Sequence, residues 1–204
     1  MQPPTWDDRY GTEDYAYGIE PNDFLAARAD RIAPGGHVLS LGEGEGRNAV
    51  FLARRGLRVT GIDGSVVGLA KAQRLAARFG VQIATVHGDL ASAPLPTDVD
   101  AVVSIFCHLP STLRRMVHRR AESALRTGGV VIIEVYRPEQ LAFGTGGPPV
   151  VDLLATLADL REDFSSCVME EGAEIIRDVV EGRMHTGKAA VVQVVLRKTA
   201  STGH

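Results

Sequence analysis

Short apolar runs alternate with amphipathic segments along most of the chain. The apolar runs predict strands at residues 37–41, 57–63, 83–86, 99–105 and 130–136. Apolar residues at helical spacing predict helices at residues 22–32, 48–55, 66–79 and 111–125. Asn22 or Asp23, Ser65 and Ser111 are the expected caps of three of these helices. The alternation predicts a doubly wound α/β fold, in which helices cover both faces of a mostly parallel sheet.

The alternation of predicted strands and helices stops towards the C-terminus. Residues 151–160 predict one more helix, and three β-like runs follow at residues 167–169, 175–180 and 189–196. Because a glycine-containing turn joins the last two runs, they predict a hairpin and therefore an antiparallel strand.

The N-terminal segment, residues 1–22, differs from the rest of the chain. It contains Trp6, Tyr10, Tyr15 and Tyr17, yet it shows neither helical nor strand periodicity. We expect it to be either a lid that excludes water from a site at the sheet edge or a strap that only buries apolar surface. With this segment attached, residues 1–204 are expected to form a single domain.

Composition and charge narrow the function classes. The 204-residue chain is 45% hydrophobic and 23% charged, and its formal charge of −3 argues against a nucleic-acid partner. Two cysteines, Cys107 and Cys167, are too few for a disulfide framework or a four-thiolate zinc site, and no metal is expected. The apolar runs are shorter than a membrane span, and residues 1–8 lack the features of a secretory signal. We expect a cytoplasmic protein with no membrane partner, either monomer or homodimer.

A glycine-rich loop follows the first predicted strand. Gly42, Gly44 and Gly46 alternate in five positions, and a predicted helix begins directly after them. A loop with so few Cβ atoms allows a ligand to approach the backbone closely. Open α/β sheets bind their ligands at this edge, beyond the carboxyl ends of the strands.

Two carboxylates follow the next two strands at the same edge. Asp63 lies 21 residues after Gly42, and Asp89 lies 26 residues after Asp63, so that one helix and one strand fit each interval. Asp63 is suited to accept from both hydroxyls of a ribose, and Asp89 from an exocyclic amine of a base. Together with the loop they predict a nucleoside pocket. The alternatives are an ordinary turn aspartate before Gly64 and a turn cap at Asp89.

Several motifs together resemble the class I S-adenosylmethionine-dependent methyltransferases, most of all the tellurite-resistance and thiopurine small-molecule group. The motifs are Trp6–Tyr10, Tyr17–Leu25, Gly46-Arg47-Asn48, Gly144–Pro148 and His185–Lys188. The resemblance covers nearly all of the chain. It implies a seven-stranded sheet with an antiparallel last strand, S-adenosylmethionine as cofactor and methyl transfer to a small-molecule acceptor.

The resemblance also implies a set of cofactor-binding residues. They are Trp6, Tyr17, Gly42, Glu43, Gly44, Gly46, Asn48, Asp63, Gly64, Asp89, Leu90 and Phe106. The glycine loop would hold the methionine part, Asp63 the ribose, and Asp89 with the Leu90 backbone the adenine. Where the family usually has an acid, two residues before the first loop glycine, this chain has Ser40. In the family that acid helps to fix the amino acid end of the cofactor. Glu43 and Glu45 are the residues that would share this role here.

Direct methyl displacement needs no catalytic triad, so the catalytic residues stay open. His108, which follows the fourth strand, is the candidate general base, and a structural or substrate-shaping role is its alternative. His108, Arg137 and His185 are the candidates for contacting the acceptor. The basic residues of 114–120 are expected to form an exposed helix face. The acceptor atom can be oxygen, nitrogen, sulfur or a metalloid.

Two other function classes fit part of the pattern. Residues 44–49 match a dinucleotide-binding fingerprint, and Asp63 suits its ribose acid, which would indicate a nicotinamide-dependent oxidoreductase. The short chain and the absence of a predicted substrate domain argue against that class. A non-catalytic protein that binds S-adenosylmethionine as a sensor is the other alternative.

Overall fold

Seven strands form one sheet in the part of the chain that the computed structural model describes, residues 5–182 and 184–200. The strands are β1 (His37–Leu41), β2 (Arg58–Asp63), β3 (Ala84–His87), β4 (Val99–Ile105), β5 (Leu125–Tyr136), β6 (Cys167–Glu181) and β7 (His185–Lys198). The helices are α1 (Trp6–Tyr10), α2 (Asp23–Arg28), α3 (Arg47–Arg54), α4 (Val66–Arg78), α5 (Ser111–Ala124) and α6 (Leu157–Asp163). Short 3-10 turns lie at Ala29–Arg31, Pro138–Ala142 and Val151–Leu153.

The strand order across the sheet is β3-β2-β1-β4-β5-β7-β6. Strands β1 to β5 pair in parallel, whereas β7 is antiparallel to both β5 and β6. The predicted mostly parallel, seven-stranded α/β sheet with an antiparallel C-terminal strand is therefore confirmed. The connections run in opposite directions from β1 and from β4, which opens a crevice at the carboxyl ends of these two strands.

Apolar side chains fill a separate core on each face of the sheet. Along β1, Val38 belongs to one core and Leu39 to the other, because successive residues of a strand point to opposite faces. The first core also takes Leu75 from α4, and the second takes Val117 from α5. Helices α4 and α5 therefore cover opposite faces of the sheet, as a doubly wound fold requires.

Two of the three predicted helix caps are confirmed. The side chains of Asn22 and Ser65 accept hydrogen bonds from backbone N–H groups in the first turns of α2 and α4, both at 3.0 Å. The cap predicted for α5 is wrong, because the N-cap residue is Pro110. Ser111 is the first helical residue instead, and its hydroxyl donates to Asp152 at 2.5 Å.

The helix predicted over residues 151–160 is confirmed only for its last four residues. A 3-10 turn covers Val151–Leu153, and α6 begins only at Leu157, where the side chain of Thr156 accepts a hydrogen bond from the backbone. Between them, Leu154 is buried in an extended conformation. Apolar spacing alone does not distinguish a short buried extended segment from a helix.

The C-terminal hairpin is longer than predicted. Residues 167–169 and 175–180 belong to one continuous strand, β6, along which side chains alternate between partly buried and exposed. That alternation is typical of a strand with one covered and one open face. Strand β7 begins at His185, so this histidine and Gly187 lie in the strand and not in the turn.

The N-terminal segment contains a short helix that the sequence pattern does not predict. Helix α1 begins after Thr5, whose side chain accepts from the backbone of Asp8 while the Asp8 carboxylate accepts from Thr5 N at 2.8 Å. Tyr10 and Ala16 are buried. The expectation of a segment without local structure is therefore wrong for residues 6–10, and residues 1–4 lie outside the described part.

A buried lysine on α4 ties the N-terminal segment to the sheet domain. The Lys71 ammonium donates to the backbone carbonyls of Tyr10, Thr12 and Asp14 at 3.3, 2.9 and 2.6 Å. It also forms an ion pair with Glu45, and the side chains of both residues are at least 97% buried. A fully buried ammonium is tolerated because its donors are satisfied and its charge is paired.

The basic helix face expected on α5 is partly buried. Arg114 and His118 each contact the carboxylate of Asp163, at 2.8 and 2.9 Å, and all three side chains are buried. Arg120 donates to the backbone carbonyls of Leu90 and Ala93 in the first half of the β3–β4 connection. Several basic groups that the sequence pattern predicts to be exposed to solvent are therefore paired within the protein.

Candidate active site

A cavity of about 900 Å³ lies at the carboxyl edge of the sheet, beside the crevice between β1 and β4. Most of the predicted site residues line it, contributed by the N-terminal segment, the glycine loop, three strand ends and the C-terminal hairpin. They are Trp6, Tyr17, Gly42, Glu43, Gly44, Asn48, Asp63, Gly64, Asp89, Leu90, Phe106, His108 and His185. The volume is within the range of ~300–1,000 Å³ that small-molecule sites occupy.

Two predicted residues do not line this cavity. Gly46 lies at the start of α3 with φ of +94°, and a Cβ there would be 2.6 Å from the backbone of Ala72 on α4. Its role is therefore close helix packing and a left-handed turn. Arg137 does not reach the cavity, since its guanidinium forms ion pairs with Glu139 and Glu174 at 3.3 and 3.4 Å.

The Asp63 carboxylate connects the end of β2 to the glycine loop. One oxygen accepts from Gly44 N at 2.8 Å and the other from Ser65 N at 2.7 Å. Burial raises the pKa of Asp63, which these two hydrogen bonds partly oppose. Each carboxylate oxygen has a further lone pair, so the group can still accept from a ligand hydroxyl.

Asp89 lines the same cavity from the end of β3. Its Oδ1 accepts from Ala91 N at 2.8 Å, which caps the following turn as the alternative interpretation predicts. The side chain is exposed, while the neighbouring Leu90 is buried. The turn bond and a ligand contact are compatible, because the carboxylate offers about four acceptor sites.

Glu43 and Ser40 together form a buried acidic group under the glycine loop. The Ser40 hydroxyl donates to one oxygen of Glu43, and Ala49 N donates to the other at 3.0 Å. The Glu43 side chain lies over Gly61, where a Cβ would be 2.9 Å from Cγ. Burial raises the pKa of Glu43 to about 7.

A pH-dependent stability follows from the raised pKa of Glu43. The unfolded chain releases this proton near the ordinary pKa of 4.5, but the folded chain holds it to about 7. Glu43 therefore stabilises the fold fully below pH 4.5, and this contribution is lost as the pH rises towards 7. We expect Glu43→Gln to remove this part of the pH dependence, measured as the difference in unfolding free energy between variant and parent. A difference that stays constant across the window would contradict the assignment.

Glu45, the other acid of the loop, has a structural role. It pairs with Lys71 and accepts from Ala16 N at 2.7 Å. Asn48 likewise holds the N-terminal segment, because its Oδ1 accepts from Asn22 N at 3.0 Å. Loop residues therefore fix the segment that forms one wall of the cavity.

Aromatic and imidazole rings form the opposite wall. His108 stacks on Tyr136 with ring centroids 5.4 Å apart, and Phe106 lies 4.7 Å from Tyr136. His185 lies 4.8 Å from Phe106 and 4.5 Å from Tyr17. Phe106 has φ of +52°, a conformation that is uncommon for a non-glycine residue and is typical of functional sites.

Two of the described histidines that line the cavity, His108 and His185, are neutral, and each keeps a ring nitrogen without a partner among the described residues. Burial lowers the pKa of His108 to about 4 and that of His185 to about 3. The His108 Nδ1 lies 3.1 Å from the carbonyl oxygen of Leu153, and a carbonyl only accepts, so this nitrogen carries the proton. The buried Nε2 of His108 and Nδ1 of His185 make no hydrogen bond within the described part of the chain.

Sequence reasoning missed several cavity residues. Tyr10, Arg47, Met184 and the loop at residues 146–149 also line it. Arg47 lies within a motif that carries the resemblance, but a motif does not say which way a side chain points. Within residues 5–182 and 184–200, no group of His, Cys, Asp or Glu could hold a metal, and no helix is long and apolar enough to cross a membrane.

The chain is similar to known methyltransferases. Residues 38–129 match the sequence profile of the family described as the methyltransferase domain, whereas a search of curated proteins found no match. The fold is similar to that of TehB from Haemophilus influenzae, with 20% identity, a TM-score of 0.70, and 86% of this chain and 61% of that chain covered. It is also similar to a protein studied in the conversion of a disulfide bond into a thioacetal group during echinomycin biosynthesis, with 19% identity, a TM-score of 0.76, and 97% and 89% covered. A SAM-dependent methyltransferase from Methanosarcina mazei is similar too, with 13% identity, a TM-score of 0.70, and 90% of this chain and 100% of that chain covered.

The domain match supports an S-adenosylmethionine-dependent methyltransferase, and the fold is the one that the solved methyltransferases share. The methyltransferase domain that residues 38–129 match spans the glycine loop and the ends of β2, β3 and β4, and S-adenosylmethionine is its cofactor. The match to the methyltransferase domain argues against the alternative of a nicotinamide-dependent oxidoreductase. The solved structures, all at 20% identity or below, show the shared fold alone.

Proposed function

We propose that this methyltransferase transfers the methyl group to a small-molecule acceptor that arrives protonated, and that His108 accepts the proton. The proposal rests on the buried Nε2 of His108, a cavity-lining residue, because this nitrogen has no partner among the described residues. The hydrogen bond from Nδ1 to Leu153 O fixes this tautomer.

The cavity residues fit the cofactor. The buried Asp63 carboxylate suits the ribose hydroxyls, and Asp89 with the Leu90 backbone suits the adenine. A Cβ at Gly44 would be 2.7 Å from Tyr10 Oη, so only glycine leaves this part of the loop free to form the cavity wall. Trp6, Tyr17 and Phe106 supply aromatic faces, which attract a cation.

S-adenosylmethionine supplies a methyl group on a positively charged sulfur, from which a nucleophile displaces it directly. An O–H or S–H acceptor becomes far more acidic as its new bond to carbon forms. A neutral imidazole with a pKa of about 4 is therefore basic enough to take the released proton at that moment. Proton transfer to Nε2 leaves His108 as an imidazolium, which returns the proton to water.

The shape of the cavity supports a small acceptor. Its walls include the N-terminal segment, the loop at residues 146–149 and the turn next to His185, which together cover the carboxyl edge of the sheet. We propose that the segment up to residue 22 is a strap that also forms a wall, since Lys71 and Asn48 hold it while Trp6 and Tyr17 line the cavity. A cytoplasmic location, the absence of nucleic-acid partners, the single domain and the choice between monomer and homodimer stay predictions.

The role of His108 is tested by His108→Asn. Asparagine keeps a donor near the Nδ1 position for Leu153 O but has no counterpart of Nε2. In a methyl-transfer screen against hydroxyl and thiol compounds, read by release of S-adenosylhomocysteine, we expect kcat to fall on the order of 10²–10⁴-fold. Affinity for S-adenosylhomocysteine should stay unchanged. His37→Ala, at the opposite end of β1, is the matched control and should keep full kcat.

Two outcomes would contradict this proposal. Full kcat in a folded His108→Asn variant would show that the acceptor needs no base at Nε2. Tight binding of S-adenosylmethionine with no product from any acceptor would favour the non-catalytic sensor.

A further inference from the structure

The cavity contains one buried cation that the proposed mechanism does not use. The Arg47 side chain is 9% exposed, its Nη2 donates to Glu181 Oε2 at 2.5 Å, and its Nη1 makes no hydrogen bond within the described residues. Arg9 is the other cation among the described residues that line the cavity, and it is exposed. An unpartnered buried N–H group is costly, so its retention points to a ligand.

Glu181 holds the guanidinium of Arg47 in a fixed orientation. Besides Arg47, this carboxylate accepts from Asn22 Nδ2 at 2.8 Å and from Arg177 Nη2 at 3.2 Å. Arg177 in turn forms an ion pair with Glu134 at 2.7 Å. The charges of the two arginines and two glutamates balance. The network contacts Arg47 through Nη2, so Nη1 stays available to a ligand. A guanidinium held in this way is pre-organised to bind an oxyanion.

A second unpartnered group lies next to Arg47. Glu181 and His185 are direct partners across the β6–β7 hairpin, so the residue that binds Arg47 is paired with a cavity histidine. The buried Nδ1 of His185 has no partner in the described part of the chain. Since neutral imidazole can carry its proton on either nitrogen, an anion at this place would favour the tautomer that donates from Nδ1.

We propose that Arg47 and His185 form an anion-binding subsite that takes a carboxylate or an equivalent oxyanion, with Arg47 Nη1 as the charged donor. The proposal rests on the proposed methyl-transfer function and adds one property to its ligands. Two sources can supply such an anion. One is the carboxylate of the methionine part of the cofactor, and the other is an acidic group on the acceptor.

The experiment compares ligand pairs that differ only in the anion. S-adenosylhomocysteine is paired with its decarboxylated analogue, and hydroxybenzoic or mercaptobenzoic acids are paired with their methyl esters. Binding is measured by calorimetry and KM by product release, in the parent, in Arg47→Gln and in Arg47→Lys. Arg9→Gln is the matched control, because it removes the exposed cation of the same cavity.

If the cofactor is the source, the parent binds S-adenosylhomocysteine ~10–100-fold more tightly than the decarboxylated analogue, and Arg47→Gln loses this preference. If the acceptor is the source, Arg47→Gln raises KM for the acids but not for the esters. Arg9→Gln should keep either preference. Arg47→Lys keeps the charge beside Glu181 and should retain only part of the preference, because an ammonium is a compact point charge without the planar fork.

One result overturns the inference without any variant. A parent protein that binds both members of every pair equally well has no anion subsite at Arg47, and its residual role is then to hold Glu181. A parent that fails to bind S-adenosylhomocysteine at all would instead contradict the methyltransferase function.

Discussion

Asp63→Ala is expected to weaken the binding of S-adenosylhomocysteine on the order of 10–100-fold, because a charged acceptor that faces a pair of hydroxyls contributes roughly 1.5–3 kcal/mol. The substitution also leaves Gly44 N and Ser65 N without the acceptor that each now contacts, at 2.8 and 2.7 Å. We expect both losses to act on the proposed cofactor site, the first directly and the second through the glycine loop. Calorimetric titration with S-adenosylhomocysteine measures the effect.

Two further variants make the Asp63 result specific. Asp178→Ala removes an exposed carboxylate on β6 and should leave the affinity unchanged. Asp63→Asn keeps one acceptor oxygen for the loop or for the ligand, so its affinity should lie between those of the parent and the alanine variant. An alanine variant that folds and binds as tightly as the parent would refute the ribose assignment.

Lys71→Met is expected to lower the free energy of unfolding by ~3–5 kcal/mol, which is the usual cost of removing one partner from a buried ion pair. The variant leaves the Glu45 carboxylate buried without its cation. It also removes the hydrogen bonds that Lys71 donates to the carbonyls of Tyr10, Thr12 and Asp14. These bonds hold the N-terminal segment in place. Urea denaturation followed by circular dichroism measures the loss.

A double-mutant cycle separates the ion pair from the carbonyl contacts. Lys71→Met combined with Glu45→Gln removes both charges, so the double variant should recover part of the stability that Lys71→Met loses. The remaining deficit belongs to the lost hydrogen bonds from the Lys71 ammonium to the segment. If Lys71→Met unfolds within ~1 kcal/mol of the parent, the buried pair does not tether the segment, because a loss that small is typical of exposed pairs.

The sequence predicts the sheet well because its signals are local. Strand β4 has the predicted bounds, residues 99–105, because a short run without alternation, set between helical segments, is typical of a strand buried on both faces. The Asn22 and Ser65 caps are likewise encoded within three residues of the groups that they bind. Helix α1 escapes prediction because a capping box defines it, and five residues are too few to show periodicity.

The sequence predicts where the site lies but not which groups its side chains contact. Asp63 ends β2 and Asp89 comes shortly after β3, so the topology alone brings them to one edge. Arg47 contacts Glu181, which lies 134 residues further along the chain, and no local pattern encodes that contact. The same holds for Gly46, whose importance depends on the nearby backbone of Ala72.

Methyl transfer itself is measured with an isotopically labelled methyl group on S-adenosylmethionine and a panel of small hydroxyl and thiol compounds. Mass spectrometry of the products follows the label in the parent, Asp63→Ala and His108→Asn proteins. We expect a labelled product with the parent, restored at high cofactor concentration in Asp63→Ala and strongly reduced at every concentration in His108→Asn. A parent protein that binds the cofactor and leaves the label on it, whatever the acceptor, would rule out methyl transfer to these compounds.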